Sequence, residues 1–233
     1  MRDIAMGNPP DAEAPKLARV AGLAYLITIA SGLFAEVYVR ASIRSADPAS
    51  TGERFHDLEQ LHRLGVLADC LMLVSYVVVT ATLYRLFKPV SATVSLLAAL
   101  FSLIGIAILA ASMTILLVPI YLDGPSTAFD ALRLHGAAFN LSSMFFGPYC
   151  ALIGWLVVRS GWLPAWIGWL MGLAGITFVL HASIGLLTPA LARRIPDAVM
   201  LISLLAEGSL ALWLAVFGVR SGSSAADRES RGT

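Results

Sequence analysis

The chain has 233 residues, 58% of them hydrophobic and only 13% charged, with a mean hydropathy of +0.80 and a formal net charge of +1. A soluble domain carries roughly 25% charged and 45–50% apolar residues. The apolar excess here is too large for one soluble core, and the near-zero charge excludes the basic surplus of a nucleic-acid partner.

Residues 1–16, which open "MRDIAMGNPPDAEAP", are polar and contain prolines. They lack the apolar core and small-residue cleavage site of a signal peptide. We read them as a cytoplasmic tail leading into an uncleaved first helix. Six apolar runs follow, at about 17–39, 62–87, 91–120, 134–158, 164–188 and 197–219. Each is long enough to cross roughly 30 Å of hydrocarbon at about 1.5 Å per residue. Each is punctuated by a breaker such as "LFKPVS", "YLDGPS" or "RSGWLP". The fold class is therefore all-α: a polytopic bundle of six transmembrane helices over 17–219, with a disordered polar tail at 220–233.

Six spans put both termini on one side. That side carries nine Lys and Arg against seven on the other. Two of its short hairpins hold Arg85 with Lys88 and Arg159, so the termini are expected in the cytoplasm of a bacterial cell, the protein lying in its inner membrane. Trp162, Trp166 and Trp169 open the fifth run as an interfacial belt.

The connection at 40–61 reads as an external helical extension. Ser50 and Glu53 have capping-box spacing, and "RFHDLEQLHRLG" continues at helical period into the second run. His56 and His62 lie in it, and solvated surface accounts for them better than metal ligation does. Cys70 and Cys150 sit within apolar runs without CxxC or nearby His spacing, so free thiols are expected.

Helical periodicity sorts the spans into faces. The first run aligns Gly22, Tyr25, Ile29, Gly32 and Glu36. The second aligns His62, Gly65, Asp69, Met72 and Tyr76. The third aligns Ser91, Ser95, Ala98, Ser102, Gly105, Leu109 and Ser112. The fourth aligns His135, Ser142 and Tyr149, with Asn140, Ser143, Gly147 and Gly154 on another side. The fifth carries Gly168, Gly172 and Gly175 on one side, and Thr177, His181 and Thr188 on another. In the sixth run Ser203, Glu207 and Ala211 align. Small-residue stripes let helices approach closely in lipid, so they indicate a compact bundle rather than a wide pore.

The polar residues within the spans are not spread evenly. Counting rise along alternating helices, Glu36, Asp69, His135, Asn140 and His181 all fall in the half of the bilayer opposite the termini, with Glu207 near the midplane. An aspartate facing lipid costs about 2.5–3.5 kcal/mol even on the lenient insertion scale. Asp69 must therefore face the bundle interior and find a partner. Arg63, six residues earlier, points about 120° away around the helix. The partner is expected from another helix: Arg40 or His181 first, then His135.

The stretches "LARVAGLAYLITIASGLFAEVYVR", "HRLGVLADCLM", "LYRLFKPVS", "LHGAAFNLSSMFFGPYCALIGWLVVRSGWLP" and "IGWLMGLAG" resemble the bacterial integral membrane proteins grouped as domain of unknown function 4386. The resemblance runs from about residue 15 to 220. Its pattern picks out Glu36, Arg40, Arg63, Asp69, His135, Gly147, Ser160 and Pro164. It implies fold and location and assigns no activity.

Three functional readings follow. In the first, Glu36 and Asp69 pair with Arg40 and Arg63 and hold helix ends in place. In the second, Glu36, Arg40, Arg63, Asp69, His135, Asn140, His181 and Glu207 surround a site for a small solute, a lipid headgroup or an ion. In the third, Asp69, His135, His181 and Glu207 serve a metal-dependent membrane hydrolase, or His135 and His181 ligate haem. The sequence names no cofactor and no catalytic residue. Its partners are the bilayer and a small-molecule or lipid ligand, and the oligomeric state stays open, a homo-oligomer included.

Overall fold

The structure is a computed structural model that describes residues 13–122, 124, 126–188 and 198–219. Most of the N-terminal tail, the 189–197 connection with Arg193 and Arg194, and the 220–233 tail lie outside the described residues. Every regular element among the described residues is helical.

Helix α1 (Ala14–Leu33) has Pro15 in its first turn, where a missing N–H costs nothing. It passes without a break into a π-helical segment, Phe34–Arg40, and a closing α turn, α2 (Ala41–Ile43). The first span is thus one helix over Ala14–Ile43, longer than the run at 17–39. The π segment carries no sequence signal that periodicity reads. Its wider turn brings two successive residues, Val39 and Arg40, onto the buried face.

Helix α3 (Pro48–Asp57) departs from the expected extension. Asp47 caps it, accepting from the Ser50 amide at 2.9 Å, and Pro48 occupies the first turn. The Ser50–Glu53 capping box does not form. Aspartate followed by proline is the stronger start, and it places Ser50 inside the helix as donor rather than cap. The Ser50 amide holds the Asp47 carboxyl below the usual aspartate range. The chain then breaks at Leu58, and α4 (Glu59–Phe87) starts afresh, so 40–61 is a helical corner rather than one extension running into the second span.

Ser91 caps α5 (Ala92–Tyr121). Helix α6 (Thr127–Ser160) starts two turns before the predicted position 134 and ends on Gly161 in the left-handed region. Pro164 precedes α7 (Ala165–Leu187), and α8 covers Ala198–Val216.

Among the described residues five helices are long and apolar enough to cross a bilayer: Ala14–Ile43, α4, α5, α6 and α7. Helix α8 contributes a shorter apolar stretch, Leu201–Val216. Outward positions such as Leu67, Val74 and Trp169 are 66%, 65% and 71% exposed. Apolar surface on this scale has no place in water and fits contact with lipid, so the chain is a multi-pass membrane protein. Trp166 and Trp169 face outward as expected of a belt, whereas Trp162 packs against the core.

The small-residue stripes mark the closest helix approaches. A methyl added at Gly175 would lie 2.6 Å from the Gly147 carbonyl, and one at Gly168 would lie 2.6 Å from the Gly154 carbonyl, so α6 and α7 touch backbone to backbone. Gly172, on the same predicted stripe, would meet nothing. Gly22 packs on the α8 backbone at Ala211 and Ala215, and Gly105 faces the Phe146 ring. Hydroxyls within the spans bond back along their own helices: Thr28 to Ala24, Ser142 to Phe139 and Thr177 to Ala174. Thr80 and Ser102 add a cross-helix bond of 2.7 Å between α4 and α5.

Candidate functional site

Gly65 sets the geometry of the polar centre. It lies on α4 one turn before Asp69, and a methyl there would press on Val39 at 2.8 Å. The close approach lets the π segment reach α4. Arg40 then points its guanidinium at Asp69, Nη1 donating to Oδ2 at 2.5 Å and Nη2 to Oδ1 at 3.1 Å. Asp69 is 0% exposed and Arg40 5%. The Arg40 Nε donates to Glu36 Oε2 at 2.6 Å, and Arg44 donates to Glu36 Oε1 at 3.0 Å. The result is an alternating array, Asp69–Arg40–Glu36–Arg44, with no net charge. Its inner end is dry, and its outer end at Glu36 is half exposed. Burial of charge is tolerable when each charge is paired and its donors are used.

The expected Asp69–Arg40 pairing across helices is formed. The companion pairing of Glu36 or Asp69 with Arg63 is not. Arg63 turns outward and bonds Glu59, four residues back on α4. Residues four apart share a helix face, whereas six apart do not.

Two histidines flank this centre. His62 Nε2 sits 2.8 Å from the Leu116 carbonyl of α5, which makes Nε2 the protonated nitrogen. His135 Nδ1 meets the Ser112 hydroxyl of α5 at 3.1 Å. Both lie within electrostatic range of Arg40 and Asp69. His62 is therefore buried inside the bundle rather than on a solvated surface, and His56 stays outside near Glu53 and Glu59.

The remaining candidates fall elsewhere. The Asn140 amide on α6 presses against Gly185 of α7, one turn beyond His181. Asn140 Oδ1 and His181 Nδ1 are both buried without a partner. Glu207 belongs to a separate group with Tyr25, Tyr76, Tyr149 and Cys150. Asp69, His135, His181 and Glu207 therefore do not converge as a hydrolase centre would require. Among the described residues no three His, Cys, Asp or Glu side chains gather as metal ligands. His135 and His181 lie on neighbouring helices, with His135 engaged by Ser112.

Residues 20–218 match the family described as domain of unknown function (DUF4386). The chain belongs to that family. It matches no curated protein and no solved structure. In this DUF4386 protein, the residues that carried the resemblance have visible jobs. Glu36, Arg40 and Asp69 form the ion array, and His135 stands beside it. Gly147 makes the α6–α7 contact, Ser160 accepts the Trp162 amide, and Pro164 leads into α7.

The DUF4386 chain also has a cavity of about 400 Å³ at the outer end of this array, lined by Arg44, Ser45, Thr51, Phe129, Leu132 and Arg133, with Ala46. The Arg133 guanidinium lies 5.4 Å from the Phe129 ring centre. Neither Arg133 nor this cavity was among the residues singled out from sequence. Arg133 lies on the first two turns of α6, where the apolar run had not yet begun.

Proposed function

We propose that this protein is a six-span bacterial inner-membrane protein, with both termini in the cytoplasm, that binds a small anionic group at the outer end of its bundle. The anion is carried by a solute or by a lipid headgroup. The cavity between Arg44 and Arg133 carries the reading. Its volume lies within the range of about 300–1,000 Å³ typical of ligand sites. Two guanidinium groups above an apolar wall suit a phosphate or carboxylate attached to an apolar body. Arg133 has no carboxylate partner among the described residues. Arg44 shares one with Arg40, so the buried array positions Arg44 through Glu36. The Arg40–Asp69 pair does not line the cavity and bears on it only through Glu36.

Support for the sixth span comes from α8, 19 helical residues packed along α1 through Gly22. Support for the orientation comes from the nine-to-seven balance of basic residues.

The test is binding of phosphate-bearing and zwitterionic lipids, and of inorganic phosphate, to the full chain in nanodiscs. Anionic lipid or phosphate should bind the native chain and be lost in Arg44→Ala/Arg133→Ala. Equal binding by native and double variant sinks the proposal. A reporter fused at Thr233 should be active only in the cytoplasm.

A further inference from the structure

The charge of the outer cavity is set partly by residues that do not line it. Among the described residues its charged lining consists of Arg44 and Arg133, beside the apolar Ala46, Phe129 and Leu132. Arg44 does not bring a free charge. Its Nη2 donates to Glu36 Oε1 at 3.0 Å, and Glu36 stands outside the lining. Arg40 bonds Glu36 at 2.6 Å and also holds Asp69. Arg40 and Arg44 cancel Asp69 and Glu36, so the charge left to the cavity is the single one of Arg133. That guanidinium lies against the Phe129 ring and has no carboxylate partner among the described residues. Arg54, Asp47 and Asp130 on neighbouring turns are exposed and outside the lining, where water and salt screen them. The neutral donors are few. Thr51 Oγ1 already donates to the Asp47 carbonyl at 2.9 Å and accepts the Ser45 amide at 3.2 Å. The cavity therefore offers two guanidinium forks and the Ser45 hydroxyl.

We infer that this cavity selects a singly charged anion, a phosphodiester or a carboxylate, over a doubly charged phosphomonoester, and that Glu36 sets the preference without touching the ligand. The inference rests on the anion-binding reading given under Proposed function. One negative charge brings the cavity to neutrality. A second stays uncompensated beside a largely apolar wall, where a unit charge is worth about tenfold in binding at an effective dielectric of about 20. A diester and a carboxylate each carry two charged oxygens, which match guanidinium forks. Glu36 withholds a second positive charge from the ligand. In Glu36→Gln, Arg44 is released and the cavity gains that charge, while Arg40 keeps Asp69.

The test compares matched ligands on the full chain in phosphatidylcholine nanodiscs at about pH 9, well above the second phosphate pKa of about 6. The lipid pair is phosphatidylglycerol against phosphatidic acid, and the soluble pair is dimethyl phosphate against methyl phosphate. The native chain should bind the singly charged member about tenfold more tightly. A preference in the lipid pair identifies a headgroup, and one confined to the soluble pair a free solute. Glu36→Gln should reverse the order, its unfolding midpoint reporting that the bundle is intact. Ala46→Lys adds a positive charge at an exposed lining position without touching the array, and should move the order the same way. Equal or tighter binding of the doubly charged member by the native chain, or an order unchanged in both variants, overturns the inference and leaves the anion site standing. Binding of neither pair overturns the anion site and the inference with it.

Discussion

Removing Arg40 should hurt this protein more than removing the aspartate it binds. In Arg40→Met, Asp69 loses its only charged partner among the described residues while 0% exposed. Breaking a buried pair from one side costs about 3–5 kcal/mol, because a charge is left without compensation. That is a large fraction of a total stability of roughly 5–15 kcal/mol. In Asp69→Asn, Arg40 keeps Glu36 at 2.6 Å. The asparagine oxygen still accepts one of its N–H groups, so the loss is nearer one charged hydrogen bond, about 1.5–3 kcal/mol. Replacing both by apolar residues, Arg40→Met with Asp69→Leu, should recover most of the loss, as apolar substitutes for whole buried pairs do. Unfolding in mixed micelles, followed by tryptophan fluorescence and helicity, gives the ordering. If Asp69→Asn is costlier than Arg40→Met, or if the double variant is no more stable than Arg40→Met, the pairing does not control the burial of Asp69.

Gly175→Ala should destabilise by about 1–3 kcal/mol through overpacking, because its methyl would meet the Gly147 carbonyl, whereas Gly172→Ala should be neutral in the same unfolding assay. The Asp47 cap should be pH-sensitive. Its folded carboxyl titrates below the ordinary value of about 3.9, so its contribution is full above that value and fades as pH falls through the lower folded one. Hydrogen-exchange protection at Ser50 should drop over that window in the native chain, and Asp47→Asn should remove the pH dependence. Cys70 faces outward and Cys150 is buried, so reductant should not change the intact mass, and a lipid-soluble maleimide should modify Cys70 alone.

Periodicity by itself determined which face of the second and third spans turns inward. His62, Gly65, Asp69 and Tyr76 of α4 are buried, as are Ser95, Ala98, Ser102, Gly105 and Ser112 of α5. Depth followed from the same reasoning, since rise per residue is fixed and a carboxylate in hydrocarbon must find a partner. That sufficed to require a partner for Asp69 from another helix, Arg40 or His181 first, and the structure selects Arg40. What the sequence did not reveal is how the faces meet. A π segment has no periodic signature, yet it turns Arg40 inward and lets one guanidinium serve two carboxylates. Local capping competed with spacing at Asp47–Pro48, and the stronger start displaced the Ser50–Glu53 box. Glu207 looked like one more member of the polar cluster because depth along a helix does not report which neighbour lies alongside. Only the packing of α8 on α1, admitted by Gly22, sets Glu207 among Tyr25, Tyr149 and Cys150. Arg133 entered the outer cavity for the same reason, carried there when α6 met the helical corner after α2. Helix faces are properties of local repeat, whereas sites are made by residues far apart in the chain, and their meeting is fixed by backbone approach.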